Sequence, residues 1–400
     1  MVFEFPRTLG QEDAQAKLRQ TLSQERFPHA LLIHGEPGLG QHALLLDLAQ
    51  ILACEHKDQR PCGGCFSCRA FEAASLDSLH YLIPLAKKDK DGGDWEGGLE
   101  AAQIEELSER IRAWHATPYG LEAAEKALVR VPQARELISR LSYSGQTGRA
   151  RIVLVPYLES LNVEAANALL KTLEEPPANV YFLIGSENRA ALLPTLLSRC
   201  LHLGLAPLAP DAFRVAADTL SRRAGLDTAP RLLPFAEGSP GVYLELLRDD
   251  GEELLEESLK FLSAAAASDW RVFADYVSQG PASEGLEETV RLLHFLLRLL
   301  RVHQSLRARH GGSPEGLRGA EDGYRWTARA LELEGWDASL APYLGPFEEM
   351  ADLAAFAGWI EAAHHAVKGY SKPSVALLGL YLEYEAKSRR AAPSRARAAA

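Results

Sequence analysis

Ala30-Leu31-Leu32-Ile33-His34-Gly35-Glu36-Pro37-Gly38-Leu39-Gly40-Gln41-His42 is an apolar strand that runs into a glycine-framed loop, and a helical pattern, Gln41–Ala53, follows it. Strand, loop and helix in that order form the frame of a phosphate-binding loop, G-x-x-x-x-G-K-[ST]. In that motif the glycines let backbone N–H groups wrap phosphates, the Lys neutralises phosphate charge and the hydroxyl holds Mg²⁺. Gly35, Gly38 and Gly40 keep the frame here, but Gln41 stands at the Lys position and His42 at the Ser/Thr position. The scaffold of a nucleotide-binding fold is therefore expected without its charge chemistry.

Outward from this loop, the first half of the chain alternates strands and helices. Leu79–Ile83, Arg151–Val155, Val180–Ile184 and a short run near Leu201–Leu203 read as further strands. Most are continuous apolar runs, as parallel strands buried on both faces are. Asn162–Glu175 reads as a helix with Ala165, Leu169, Leu170 and Leu173 on one stripe, Asn162 as N-cap and Pro176-Pro177 as its stop. The expected fold is a three-layer α/β domain with a parallel sheet. An ATPase of this kind also needs acidic residues after its third strand to hold Mg²⁺ and position water. Pro156 and Tyr157 stand there instead. With two independent elements disabled, hydrolysis by this chain is not expected.

The chain has 400 residues, which suits two or three domains, and 47% hydrophobic residues suffice for real cores. Its net charge of −11 argues against a protein that coats nucleic acid by itself. Met1–Gly10 carries no secretory pattern, and no run reaches the ~18 apolar residues of a membrane span. A cytoplasmic protein without a membrane segment is expected. Four of five cysteines cluster as Cys54, Cys62, Cys65 and Cys68, with spacings suited to tetrahedral Zn²⁺ in a closed structural site. Reduced thiols and an iron–sulfur cluster are the alternatives. His56 reads as a surface residue, and Cys200 as a small apolar residue.

Strands end near residue 205, and Ala206-Pro207-Leu208-Ala209-Pro210 reads as a linker into an almost wholly helical remainder. Val290–Leu306 is one such helix, with Gly311-Gly312-Ser313-Pro314 as its break. Lys87–Gly98 is polar and glycine-rich, and reads as a loop opening a segment that reaches Ala127. The last stretch, from Lys387, is basic and rich in Ala, Ser and Pro, and reads as a disordered tail. Ser198-Arg199-Cys200 follows a helix-like segment. Read alone, Arg199 is either a surface arginine in an ordinary ion pair or a guanidinium aimed at a neighbour's phosphate.

Asn167-Ala168-Leu169-Leu170-Lys171-Thr172-Leu173-Glu174-Glu175-Pro176-Pro177, followed by Ser198-Arg199-Cys200, closely resembles the AAA+ clamp-loader family of bacterial DNA polymerase III. The four-cysteine cluster, Leu9-Gly10-Gln11-Glu12 and Phe27-Pro28-His29-Ala30 also fit. Gly238-Ser239-Pro240-Gly241 ends in Gly where an active relative carries Arg. The resemblance is specific over about residues 1–260. It implies a non-hydrolysing member of a five-subunit ring that loads the sliding clamp onto primed DNA, within the DNA polymerase holoenzyme. It also implies tau/gamma ATPase subunits and a delta subunit as partners, contact with primer–template DNA through the complex, and Arg199 as an arginine finger in trans. The implied domains are an AAA+ α/β domain at 1–204, with the zinc module at 54–68 and an insertion near 87–127. A helical lid at 205–250, a helical collar at 251–387 and the tail at 388–400 follow. The insertion and the basic tail depart from the family pattern. The competing readings are an ATP-hydrolysing tau/gamma-type motor and a stand-alone zinc-dependent nucleic-acid-binding protein. Gln41, His42, Pro156 and Tyr157 weigh against the first. Acidic charge and the lack of aromatic–basic interleaving around Cys54–Cys68 weigh against the second.

Overall fold

The structure is a computed structural model that describes residues 1–24, 27–85, 101–120, 127–143, 149–266, 269–280, 285–309, 350–368 and 372–398. The chain begins with β1 (Val2–Phe3), α1 (Glu12–Ser23), β2 (Ala30–His34), α2 (Gln41–Ala53), β3 (Gln59–Arg60), α3 (Phe66–Glu72) and β4 (Leu79–Tyr81). It continues with α4 (Ala101–Ala116), α5 (Val131–Tyr143), β5 (Arg151–Val155), α6 (Val163–Glu174), β6 (Val180–Ser186), α7 (Pro194–Leu197) and β7 (Leu201–Gly204).

Five strands form one parallel sheet in the order β4-β5-β6-β2-β7. Side chains of a strand alternate between faces, and both faces here are apolar. Leu31, Ile33, Ile152, Leu154 and Leu183 join one buried cluster with α1, α2 and α3. Ala30, Leu32, Val153, Val155, Phe182 and Ile184 join a second with α5 and α6. The three-layer arrangement follows from that double coverage. The helix α2 lies so deep that Gln41–Ile51 are all buried, which explains its nearly all-round apolar sequence. In α6, Asn162 Oδ1 accepts from Ala165 N at 2.8 Å, as its N-cap position predicts. The stripe of α6 buries Ala165, Ala166, Leu169 and Leu173, and Leu170 is only half-buried.

The described residues divide into two compact units, Met1–Gly225 with Ser239–Leu244, and Leu226–Gly238 with Glu245–Ala400. After β7 come α8 (Pro210–Ala224) and α9 (Pro240–Arg248). Gly225, in the left-handed conformation at φ 69°, terminates α8. The second unit holds α10 (Gly251–Ala266), α11 (Trp270–Gln279), α12 (Leu286–Arg309), α13 (Met350–Lys368) and α14 (Pro373–Ala398). Its core is aromatic: Phe273 stacks on Tyr381 at 4.1 Å between ring centroids, and Phe356 packs against Tyr384.

Helix α14 continues through Pro393 to Ala398, into the basic stretch that reads as a tail from the sequence. The segment that ends near Ala127 holds α4, which buries Trp114 completely. Its Lys87–Gly98 part and Gly311-Gly312-Ser313-Pro314 lie outside the described residues. No helix among the described residues is long and apolar enough to cross a membrane.

Candidate functional site

The loop after β2 stands at the carboxyl end of an inner strand of the parallel sheet, where open α/β sheets bind ligands. Gly40 takes φ 105° and starts α2, a conformation that other residues avoid. The frame is thus formed, but its interior is occupied by its own side chains. Gln41 Nε2 turns back and donates to Gly35 O at 2.9 Å and Glu36 O at 2.6 Å. Both amide protons go to the loop's own carbonyls.

His42, at the position where the phosphate-loop motif carries its hydroxyl, faces the residues that follow β5. Its Nε2 lies 3.2 Å from Pro156 O, and its ring packs edge-on against Tyr157 at 4.6 Å. A carbonyl only accepts, so Nε2 carries the proton. Burial drives the His42 pKa down to about 4, with the Pro156 hydrogen bond opposing the shift, so the ring is neutral at pH 7. Trp114 of α4 closes the pocket and donates from Nε1 to His42 O at 3.3 Å. Glu159, the next carboxylate after Tyr157, accepts from Glu187 N at 2.8 Å. The two sequence departures, 114 residues apart, are therefore one packed cluster.

The loop is also covered from outside. Gly241 N donates to Gly38 O at 2.9 Å, and Ser239 Oγ donates to Pro37 O at 2.9 Å. A Cβ on Gly241 would lie 2.6 Å from Gly38 Cα, so this closure requires glycine. Tyr119 accepts from Leu9 N at 2.8 Å, and its hydroxyl would stand 2.9 Å from a Cβ on Gly40. Trp114 and Tyr119 were not singled out by the sequence reading. Their signal is large aromatic residues near the end of a largely polar segment.

The cysteines meet as their spacing predicts. Cys54 closes α2, Cys65 caps α3, and all four Sγ atoms lie within 4.8 Å of one another. Cys62 and Cys68 Sγ are 3.9 Å apart, close to the ~3.8 Å edge of a tetrahedron with ~2.3 Å Zn–S bonds. Cys65 N and Cys68 N each donate to the sulfur three residues earlier at 3.3 Å. The donor set fits a metal such as zinc, and His56 is exposed beside it. Cys200 packs against the sheet, and burial pushes its thiol up to about 11, which suits an inert apolar residue.

Arg199 follows α7 and does not stand free. Its Nε donates to Glu174 Oε1 at 2.8 Å, its Nη2 pairs with the same oxygen, and its Nη1 donates to Thr195 O at 2.6 Å. The ordinary ion pair considered for this residue is present in the chain by itself.

Comparison with known proteins bears on these features. The family model for the DNA polymerase III delta subunit (DNA_pol3_delta2) matches residues 10–209. The DNA polymerase III subunit delta' of Escherichia coli is 30% identical over 82% of this chain and 81% of its own length. That of Yersinia pestis is 35% identical over 48% of this chain and 46% of its own, so this alignment spans about half of that relative. A solved DNA polymerase III gamma subunit-related protein from Thermotoga maritima aligns over 94% of this chain and 99% of its own. Its TM-score of 0.45 and 15% identity are too low to bear on function. The matched residues 10–209 contain the closed loop, the cysteine cluster and Arg199, and on these matches the chain belongs to the delta-prime family of DNA polymerase III clamp-loader subunits.

Proposed function

We propose that this chain is the subunit of its clamp loader that neither binds nor hydrolyses ATP and that lends Arg199 to an ATP site on an adjacent tau/gamma-type subunit. The observation that carries the reading is the loop itself. Gln41 consumes the loop carbonyls and His42 fills the metal position against Pro156 and Tyr157. Phosphate binding in such a loop draws on a lysine cation and on a hydroxyl that holds Mg²⁺, and Gln41 and His42 supply neither. Arg199 lies at the domain surface with 27% of its side chain exposed. A guanidinium delivered to developing phosphate charge stabilises the transition state.

In this reading the α/β domain covers 1–204, a lid 205–250 and a collar 251–387. The collar joins the chain to the tau/gamma and delta subunits. The assembled ring places the sliding clamp on primer–template DNA in the cytoplasm. Zinc at Cys54, Cys62, Cys65 and Cys68 supports the fold and takes no part in chemistry.

The test is reconstitution with Arg199→Ala. Assembly is expected to be unchanged and DNA-stimulated ATP hydrolysis to fall. An unchanged rate would remove the trans role.

A further inference from the structure

The Arg199 guanidinium has almost no donor to spare. Its Nε and one Nη2 proton go to Glu174 Oε1, and Nη1 donates to Thr195 O and, at 3.3 Å, to Ser198 Oγ. Of the five N–H groups of a guanidinium, one on Nη2 is left. The carboxylate comes from the last residue of α6, and the arginine from the turn between α7 and β7. Both side chains are partly open to solvent, 27% for Arg199 and 48% for Glu174.

These contacts neutralise the charge that a finger must deliver. A guanidinium paired with a carboxylate adds little field at a phosphate across an interface. An exposed pair, however, is held by about 1 kcal/mol or less, about fivefold in an equilibrium. A nucleotide phosphate carries more charge than one carboxylate and accepts the same planar donor edge. The Glu174 carboxylate, once released, stays solvated at the helix end.

We propose that Glu174 is a positioning residue that parks Arg199 against the end of α6 until a phosphate of a neighbouring subunit's nucleotide takes the guanidinium over. The inference rests on the trans role of Arg199. It adds a resting state, in which the finger is withheld by its own domain and released by competition between two anions for one cation.

The experiment uses the complete loader, reconstituted from full-length chain and its cognate ATPase subunits. Glu174→Gln keeps the size and one acceptor oxygen but removes the charge. Its DNA-independent ATP hydrolysis is expected to rise about two- to fivefold in kcat, with KM for ATP unchanged. Glu174→Asp, one methylene shorter, is expected to rise less. The rise should vanish in the Glu174→Gln/Arg199→Ala double variant. An unchanged or lower rate in both Glu174 variants overturns the parking role, as does a rise that persists without Arg199. Arg199→Ala alone separates the two readings. If it lowers hydrolysis while Glu174→Gln raises nothing, only parking is lost. If it changes nothing, the trans role falls as well.

Discussion

His42 turns a missing metal ligand into a structural residue. Its ring is buried between Tyr157 and Trp114, and its one proton is committed to Pro156 O. Burial holds its folded pKa at about 4, below the ordinary 6.5. Between those values the unfolded chain binds a proton that the folded chain refuses. The stabilisation is therefore complete above pH 6.5 and is lost as pH falls towards 4. From pH 7 to pH 5 the loss from this site is about 2 kcal/mol. His42→Phe should be less stable at pH 7, by about 1 kcal/mol, because Pro156 O loses its donor. Between pH 7 and pH 5 it should lose about 2 kcal/mol less than the parent chain. Urea denaturation at the two pH values measures this, and parallel pH dependences would count against it. The sequence made the absent hydroxyl visible at residue 42. It gave no sign that Pro156 O and Tyr157 would receive the imidazole, because they stand 114 and 115 residues away.

At the scale of elements, a helix and the cysteine module contact α2 at opposite ends. The helix α4 bonds through Trp114 to the start of α2, and Tyr81 of β4 meets His115 of α4 at 2.5 Å. The cysteine module takes its first ligand from the end of α2 and two more from the start of α3. A module so short buries little apolar surface, and a bound metal would supply the missing free energy. Protein purified without chelator is expected to carry about one zinc per chain. Stripping the metal with a strong chelator should lower the thermal midpoint, with loss of order starting in residues 54–72. Elemental analysis together with hydrogen exchange checks both, and an intact midpoint in metal-free protein would refute the structural role. This module was legible in the sequence, since four ligands within 15 residues (54–68) leave the chain few ways to arrange them. The role of α4 was not, because nothing local marks Trp114 as the partner of His42.

For the whole molecule, the closed loop predicts silence towards nucleotide. Equilibrium titration of ATP against the complete chain is expected to show no binding at one per chain. Gln41→Lys alone should not restore it. His42 would still fill the metal position, and Gly241 N would still hold Gly38 O. Stoichiometric binding by either protein would contradict the closure.

The sequence by itself determined the strand–loop–helix frame, the parallel α/β half, the helical remainder and the cysteine cluster. Each depends on periodicity or spacing within a few residues, where chain geometry leaves little choice. It also determined which charges are missing, since Gln41, His42, Pro156 and Tyr157 are matters of identity. Only the tertiary structure decided what replaces those charges. Gln41 folds onto its own loop, His42 joins Pro156, Gly38 meets Gly241 and Arg199 meets Glu174. The last three pairs are separated by 25 to 203 residues. The His42 and Gly38 contacts arise from packing and from the need of buried polar groups for partners, the exposed Arg199 pair from opposite charges that the fold brings together, and none leaves a local mark in the chain.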